Sequence, residues 1–325
     1  MVKVAMLSKW HVHAEDYAKA VRNYGAEISC VWDDEPARGK PWAEALGVDY
    51  EQNLDKLLAR ADVDAVICDA PTTMHREVII KAANAGKHIF TEKAMAPTVA
   101  ECDEIAEAVN RNNVKFLIST PGNNSPFVRY AKQTIDSGVI GEVSYIRLRA
   151  AHDGASRGWL PDYWFDENQT GGGAMMDLGC HPMYEASYLL GEPARIMSMY
   201  NTLTGKAVED NAVSVIEFKN KAIAVLESSL VTYKGVGVFE VYGTKGSIVQ
   251  RGTDLLITAE CYKHVSDGFI TVTALPERTK TTMEIFLDAV ATGSQIPFGL
   301  KEGRALTQLL EGAYIAHKNN TVYMY

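Results

Sequence analysis

The chain has 325 residues, 47% of them hydrophobic and 22% charged, with a formal net charge of -9. That length suits two domains, and that composition allows a large apolar core. The acidic balance argues against nucleic acid or an anionic membrane surface as the main partner, and no apolar run is long enough for a membrane-spanning helix. No signal peptide is expected, because Val2 to Leu7 reads directly as a strand. The five cysteines (Cys30, Cys68, Cys102, Cys180 and Cys261) are odd in number, scattered and without metal-ligand spacing. Reduced thiols in a cytoplasm are the expectation.

The first third alternates strands and helices. Strands are predicted over Val2–Leu7, Glu27–Trp32, Asp64–Asp69, Lys87–Thr91 and Val114–Ser119, each nearly continuously apolar. Helices are predicted from about His13 to Tyr24, over Pro41–Leu46, Leu54–Leu58, Glu77–Ala85 and Val99–Asn110, with Gly25 and Gly86 as stops. This pattern predicts a parallel, doubly wound α/β sheet of the Rossmann type, which binds ligands at the C-terminal ends of its strands.

Four loops lie at those ends. The first, Ser8-Lys9-Trp10-His11-Val12-His13, stands where a dinucleotide-binding fold carries G-x-G-x-x-G, yet it has no glycine. The helix that follows still offers N–H groups and a positive dipole end to a phosphate, so Ser8, Lys9, Trp10, His11 and Val12 are cofactor candidates. A metal on His11 and His13 is the minority reading, because no third ligand is nearby in sequence, and no metal is expected. In the second loop, Asp33 can bind the adenosine ribose hydroxyls and would repel a 2′-phosphate. NAD is therefore expected, with NADP as the alternative because Arg38 and Lys40 lie close by. The third loop offers Ala70, Pro71, Thr72 and His75, and the fourth Glu92 and Lys93. A lysine at a sheet mouth beside an acid can donate to a substrate oxygen or relay a proton.

From residue 123 the character changes, and the domains are read as 1–122 and 123–325. A helix over Ser125–Ser137, with Ser125 as cap and Pro126 in the first turn, precedes a strand over Glu142–Ala150. The stretch from His152 to Thr170 has little periodicity but holds Trp159, Tyr163, Trp164 and Phe165. It suits a substrate-pocket wall, with His152, Arg157 and Trp164 as candidates. Three glycines, Gly171 to Gly173, then lead into Asp177 and His181 at i and i+4. That spacing puts a carboxylate and an imidazole on one helical face, an arrangement suited to a general base. Pro182 predicts a kink or a helix restarting near it, with His181 at the break. Beyond Gly191, strands are predicted over Arg195–Leu203, Asn211–Phe218, Ala222–Val231, Gly237–Tyr242, Gly246–Arg251 and Asp254–Ala259, forming one antiparallel sheet. Glu209 to Asn211 reads as a polar turn. Helices are predicted over Thr281–Val290 and Gly303–His317.

The ordered set Asp64-Ala65-Val66, Ala70-Pro71-Thr72 with His75, Ala85 to Ile89, Glu92-Lys93, Gly138 to Glu142, Gly171–Gly173 with Asp177 and His181, and Gly243 to Ser247 resembles one family. This is the glucose–fructose oxidoreductase, inositol dehydrogenase and rhizopine-catabolism family (Gfo/Idh/MocA). The resemblance implies an NAD(P)-dependent oxidoreductase of sugars, cyclitols or related polyols. It also implies a C-terminal domain with a large, mostly antiparallel sheet used for homodimers or homotetramers. By resemblance, Lys93, Asp177 and His181 surround the reacting carbon. The chain departs from the family in its glycine-free phosphate loop, in Ala94 where a proline follows the lysine, and in Tyr184 where a further Asp is frequent.

The leading expectation is hydride transfer between a secondary alcohol and nicotinamide, with His181 as base, Asp177 orienting it and Lys93 on the same oxygen. Two rivals keep the fold. One is a lyase or hydrolase that oxidises and re-reduces a sugar on tightly held NAD. The other is a non-catalytic NAD- or sugar-sensing regulator.

Overall fold

A computed structural model describes residues 1–277 and 280–325. They fall into two compact units, Met1–Thr120 with Lys280–Thr307, and Pro121–Thr279 with Gln308–Tyr325.

The first unit runs β1 (Lys3–Leu7), α1 (Ala14–Tyr24), β2 (Glu27–Trp32), α2 (Pro36–Leu46), β3 (Asp49–Tyr50), α3 (Leu54–Leu58), β4 (Ala65–Cys68), α4 (His75–Asn84), β5 (His88–Thr91), α5 (Val99–Arg111) and β6 (Phe116–Ile118). The strands form one sheet in the order β3-β2-β1-β4-β5-β6, and every pairing is parallel. The order reverses at β1, so a crevice opens beyond the C-terminal ends of β1 and β4, where doubly wound sheets take ligands. Strands β1, β4 and β6 are buried on both faces, which explains their uninterrupted apolar runs.

Two local outcomes differ from the sequence expectation. The second helix starts at Pro36 and not at Pro41, because the Glu35 side chain accepts the Ala37 N–H and Pro36 fills the first turn. The two-residue strand β3 is too short to show any periodicity.

The second unit runs α6 (Pro126–Asp136), β7 (Val143–Ala151), α7 (Gly154–Arg157), α8 (Glu167–Thr170), α9 (Ala174–Asp177), α10 (Cys180–Leu190), β8 (Pro193–Asn201), β9 (Asn211–Phe218), β10 (Ile223–Ser229), β11 (Val238–Gly243), β12 (Gly246–Arg251), β13 (Asp254–Ala259) and β14 (Ile270–Thr271). Then come α11 (Thr282–Thr292), α12 (Leu300–Asn319) and β15 (Tyr323–Met324). A nine-stranded sheet has the order β14-β13-β12-β11-β7-β10-β9-β8-β15. It is antiparallel except where β7 and β10 pair in parallel, with Leu148 opposite Leu226. The stretch read as irregular between His152 and Thr170 contains two single-turn helices and a 3-10 turn over Asp162–Phe165.

Helix α11 belongs to the first unit, although the sequence boundary near residue 122 had assigned it to the second domain. Its Met283, Phe286 and Leu287 join Val4, Met6, Ile67 and Phe90 in one buried cluster. The rings of Phe90 and Phe286 meet edge to face with centroids 5.8 Å apart. Burying side chains of this size contributes about 1.5–3 kcal/mol each relative to exposure, so this helix is an integral part of the first core.

Candidate active site

In the first unit the phosphate loop keeps the shape of a glycine turn without a glycine. Ser8 takes φ +73°, the left-handed conformation for which glycine is the usual choice. Its hydroxyl donates to Asp34 Oδ1 at 3.0 Å and accepts the Trp10 N–H at 3.1 Å. Trp10 is turned inward and buried. Asp33 is also buried, and four donors fill its carboxylate. They are the N–H groups of Lys9 and Glu35, both at 2.8 Å, and two Arg38 nitrogens at 2.7 and 3.1 Å. Asp33 therefore fastens the loop to α2. Asp34 lies nearer the surface and shares Arg38 at 2.7 Å. Burial raises the Asp34 carboxyl, against the pull of Arg38.

These residues fit a dinucleotide. The N-terminus of α1 has no side-chain cap and begins beside Val12, which is 48% exposed. Helix N–H groups placed this way suit a phosphate. At the end of β2 it is Asp34, nearer the surface, that suits ribose hydroxyls, whereas the sequence candidate Asp33 is already filled by protein donors. Bound nicotinamide supplies hydride acceptance and donation.

The other two loops of the first unit lie deeper. His75 is buried, with Nε2 3.0 Å from the Ala70 carbonyl and Nδ1 2.8 Å from the Ala94 carbonyl. It thus ties the Ala70-Pro71-Thr72 loop to the residue after Lys93, and burial holds its imidazole below the usual range. The Lys93–Ala94 peptide is cis.

Glu92 and Lys93 are both buried. Glu92 Oε2 accepts the Lys93 N–H at 2.8 Å, while Oε1 takes the Tyr17 hydroxyl and lies 2.8 Å from His13 Nδ1. Burial would raise this carboxyl, but His11, His13 and Lys93 hold it well below the usual range. Asp69, at the end of β4, is fully buried, and neither of its oxygens has a hydrogen-bond partner among the described residues. Burial and then the charge of Glu92 push its carboxyl well above the usual range. One ring nitrogen from each of His11 and His13 and an oxygen of Glu92 lie within 4.8 Å of one another. The sequence reading found no third ligand for the two histidines, because Glu92 arrives from 79 residues beyond His13.

In the second unit the glycine run is explained by close approach. A Cβ on Gly172 would strike the Tyr314 hydroxyl, and one on Gly173 would strike the Glu209 carbonyl. Glu209 is not merely part of a polar turn. Its carboxylate accepts the N–H groups of Gly173 and Met175, both at 3.0 Å, and the Tyr314 hydroxyl at 2.6 Å. Together they cap α9, whose first N–H groups otherwise have no partners. Burial raises the Glu209 carboxyl above its usual value. Neither Glu209 nor Tyr314 carries a sequence signal for this role.

The chain then breaks between α9 and α10. Helix α10 restarts at Cys180, two residues before the proline, so His181 and Pro182 both stand in its first turn. Proline is tolerated there because its missing N–H would have no intrahelical partner. Asp177 Oδ2 accepts the Trp164 indole N–H at 3.1 Å, so two of the sequence candidates are joined directly. His181 Nδ1 lies 2.8 Å from the Tyr184 hydroxyl, which also accepts the Gly122 N–H at 3.0 Å. Tyr184, noted in the sequence only as a departure, thus holds the imidazole at Nδ1. His152 accepts the Gly154 N–H at 3.1 Å and packs on Trp159, while Arg157 lies over the Tyr233 ring with its guanidinium carbon 4.9 Å from the centroid.

The family comparisons cover most of the chain. Residues 9–120 match the oxidoreductase family's NAD-binding Rossmann fold, and residues 128–249 match the Gfo/Idh/MocA C-terminal domain. Inositol 2-dehydrogenase of Rhizobium meliloti is 28% identical over 91% of this chain and 91% of its own. The scyllo-inositol 2-dehydrogenase (NAD(+)) of Bacillus subtilis is 30% identical over 73% of this chain and 69% of its own. Among solved structures, levoglucosan dehydrogenase in complex with NADH and levoglucosan shares the fold, with TM-score 0.87 and 22% identity over 99% of this chain and 98% of that one. With both halves matched in order, the chain belongs to the Gfo/Idh/MocA family of NAD-binding oxidoreductases.

Proposed function

We propose that the protein is a dehydrogenase or reductase acting on a secondary alcohol or ketone of a sugar, cyclitol or related polyol, with NAD as the preferred cofactor. The observation that supports this reading is the match of residues 9–120 and 128–249 to the family, within which Lys93, Asp177 and His181 stand where the resemblance places the reacting carbon. His181 takes the hydroxyl proton as hydride leaves carbon. Tyr184 holds its Nδ1, and it shares with Asp177 the task of orienting the ring. Lys93 donates to the same substrate oxygen and stabilises alkoxide character. Trp164 keeps the Asp177 carboxylate in place, and His152 and Arg157 serve the polyol's other hydroxyls. Arg38 is already committed to two carboxylates, which supports NAD over NADP.

The test is a screen of sugars and cyclitols with NAD and NADP in parallel, followed by Lys93→Ala and His181→Asn on the best substrate. Near-intact turnover in either variant refutes the assignment. A second reading rests on the 2,7-anhydro-N-acetylneuraminate hydratase of Mediterraneibacter gnavus, 33% identical over 69% of this chain and 60% of its own. Under it the same residues serve transient oxidation, elimination and re-reduction. Product forming without net change in nicotinamide absorbance selects this reading over the first.

The cysteines form no disulfide among the described residues, and no described helix is long and apolar enough to cross a membrane. Both facts are consistent with the cytoplasmic setting we propose. Met197, Met199, Val213, Val215 and Ile223 leave one face of β8, β9 and β10 apolar and exposed, and we assign that face to pairing with a second copy. Light scattering of Met199→Lys, which should shift the protein toward monomer, tests it.

A further inference from the structure

The geometry points to a site for one divalent transition-metal ion, of the zinc class, on His11, His13 and Glu92. This inference goes beyond the redox reading and does not depend on it. Two imidazoles and one carboxylate are a donor set that zinc, cobalt and nickel accept readily, leaving a fourth position for water. Their ligating atoms are already gathered within 4.8 Å of one another. The two imidazole centroids are 4.6 Å apart, and Glu92 Oε1 lies 2.8 Å from His13 Nδ1 and 3.8 Å from His11 Nδ1. A tetrahedral ion with ligand bonds near 2.0–2.2 Å needs ligand atoms roughly 3–3.5 Å apart. His11 Nδ1 accepts the His13 N–H at 3.2 Å, so the ion either replaces that bond or takes His11 through Nε2.

Outer contacts of the kind that fix metal ligands are also present. Tyr17 donates to Glu92 and lies 2.7 Å from Ser119 Oγ, while the Lys93 N–H holds the second carboxylate oxygen. The His11 backbone N–H is anchored on the Asp69 carbonyl at 3.1 Å. The side chain of His13 is 42% exposed, which leaves an entry path.

An independent observation is Asp69. Its carboxylate is fully buried beside this cluster, in the field of Glu92, and neither oxygen has a hydrogen-bond partner among the described residues. Buried polar atoms of this kind are normally paired, and a buried carboxylate normally faces a cation. An ion on His11, His13 and Glu92 places positive charge between the end of β4 and the end of β5. It also ties the β1–α1 loop, which carries His11 and His13, to the end of β5, which carries Glu92.

The test uses the full-length chain, stripped with chelator and titrated with Co²⁺. The expected result is one equivalent bound, with visible d–d bands of a four-coordinate nitrogen and oxygen site that Zn²⁺ bleaches on displacement. His13→Gln and Glu92→Gln should each weaken Co²⁺ binding by more than about 100-fold. Cys261→Ser, which removes the exposed thiol of the second unit, should leave it unchanged. Absence of stoichiometric Co²⁺ binding by the wild type, or retention of affinity in either ligand variant, overturns the proposal. Should a variant fail to fold, X-ray absorption of the wild-type Zn²⁺ form decides. An imidazole-rich shell without sulfur supports the site, and a sulfur shell overturns it.

Discussion

Tyr184→Phe removes one oxygen with two duties. The Gly122 N–H can only donate, so the phenol oxygen must accept it at 3.0 Å, while the same oxygen holds His181 Nδ1 at 2.8 Å. Gly122 is only partly buried, so water recovers some of the lost bond. The expected destabilisation is about 1–2 kcal/mol, toward the lower end of the penalty for an unmade hydrogen bond. For a chain of 325 residues that is a fall of roughly 1.5–3 °C in melting temperature. The effect on turnover should be larger than this loss implies. With Nδ1 released the imidazole loses one of the contacts that set its orientation, and a general base that is misaligned forfeits most of a contribution worth about 100-fold or more. The expected outcome is a fall of about 10–100-fold in kcat with KM within about 3-fold. Steady-state kinetics by nicotinamide absorbance, alongside a thermal melt, measure both. A variant that melts lower yet keeps kcat within a factor of two would show that Tyr184 only braces α10, and the orienting role would be withdrawn.

Gly173→Ala should destabilise the chain by about 1–3 kcal/mol, because the added methyl meets the Glu209 backbone carbonyl and neither backbone can yield without opening the α9 cap; chemical denaturation reads this directly, and an unchanged midpoint would contradict the packing account. Asp34→Ala should release Arg38 from one of its two carboxylates and raise the NADP-to-NAD ratio of kcat/KM by about 10-fold, a change worth about 1.4 kcal/mol in differential cofactor binding. A ratio that stays fixed would place the ribose contact elsewhere. Glu185, whose carboxylate abuts Gly122, is pushed by burial up to about 8. The folded state therefore holds its proton more tightly than the unfolded chain. Stability from this group is full below the usual carboxylate range and is lost as pH rises toward 8. Glu185→Gln should remove that loss, so its melting temperature should gain on the wild type between pH 5 and pH 8; parallel pH profiles would refute the shift.

Most of the fold was legible because its signals are local. Buried parallel strands read as apolar runs, helices stop at glycines such as Gly25 with φ +89°, and the outer strands alternate by two. What was hidden depends on distant partners. Helix α11 has an ordinary amphipathic pattern, and nothing in it says that Phe286 packs against Phe90. Short strands such as β3, β14 and β15 exist only because a neighbour pairs with them. The site divides in the same way. Asp177 and His181 stand out by spacing and Trp164 by its place in an aromatic, aperiodic stretch, but the Trp164–Asp177 bond and the part of Tyr184, which looks like a core aromatic, show only once the side chains are placed. Glu209 and Tyr314 lie 105 residues apart and meet only at the glycine run.

The phosphate loop shows why a missing fingerprint is weaker counter-evidence than it looks. The first glycine of such a loop supplies a left-handed residue, and Ser8 supplies the same conformation at φ +73°. An L residue adopts that conformation only against a penalty of roughly 1–2 kcal/mol. Here the hydrogen bonds of its hydroxyl to Asp34, Trp10 and Arg38 offset it, each contributing about 0.5–1.5 kcal/mol or more where a charge takes part. A glycine at this position would remove the penalty and the three bonds together. The motif specifies a backbone shape that can be reached in two ways. In the first, glycine makes the shape inexpensive. In the second, as in this chain, a network of Asp33, Asp34 and Arg38 holds a polar residue in it, and that network is invisible to any pattern that searches for glycines alone.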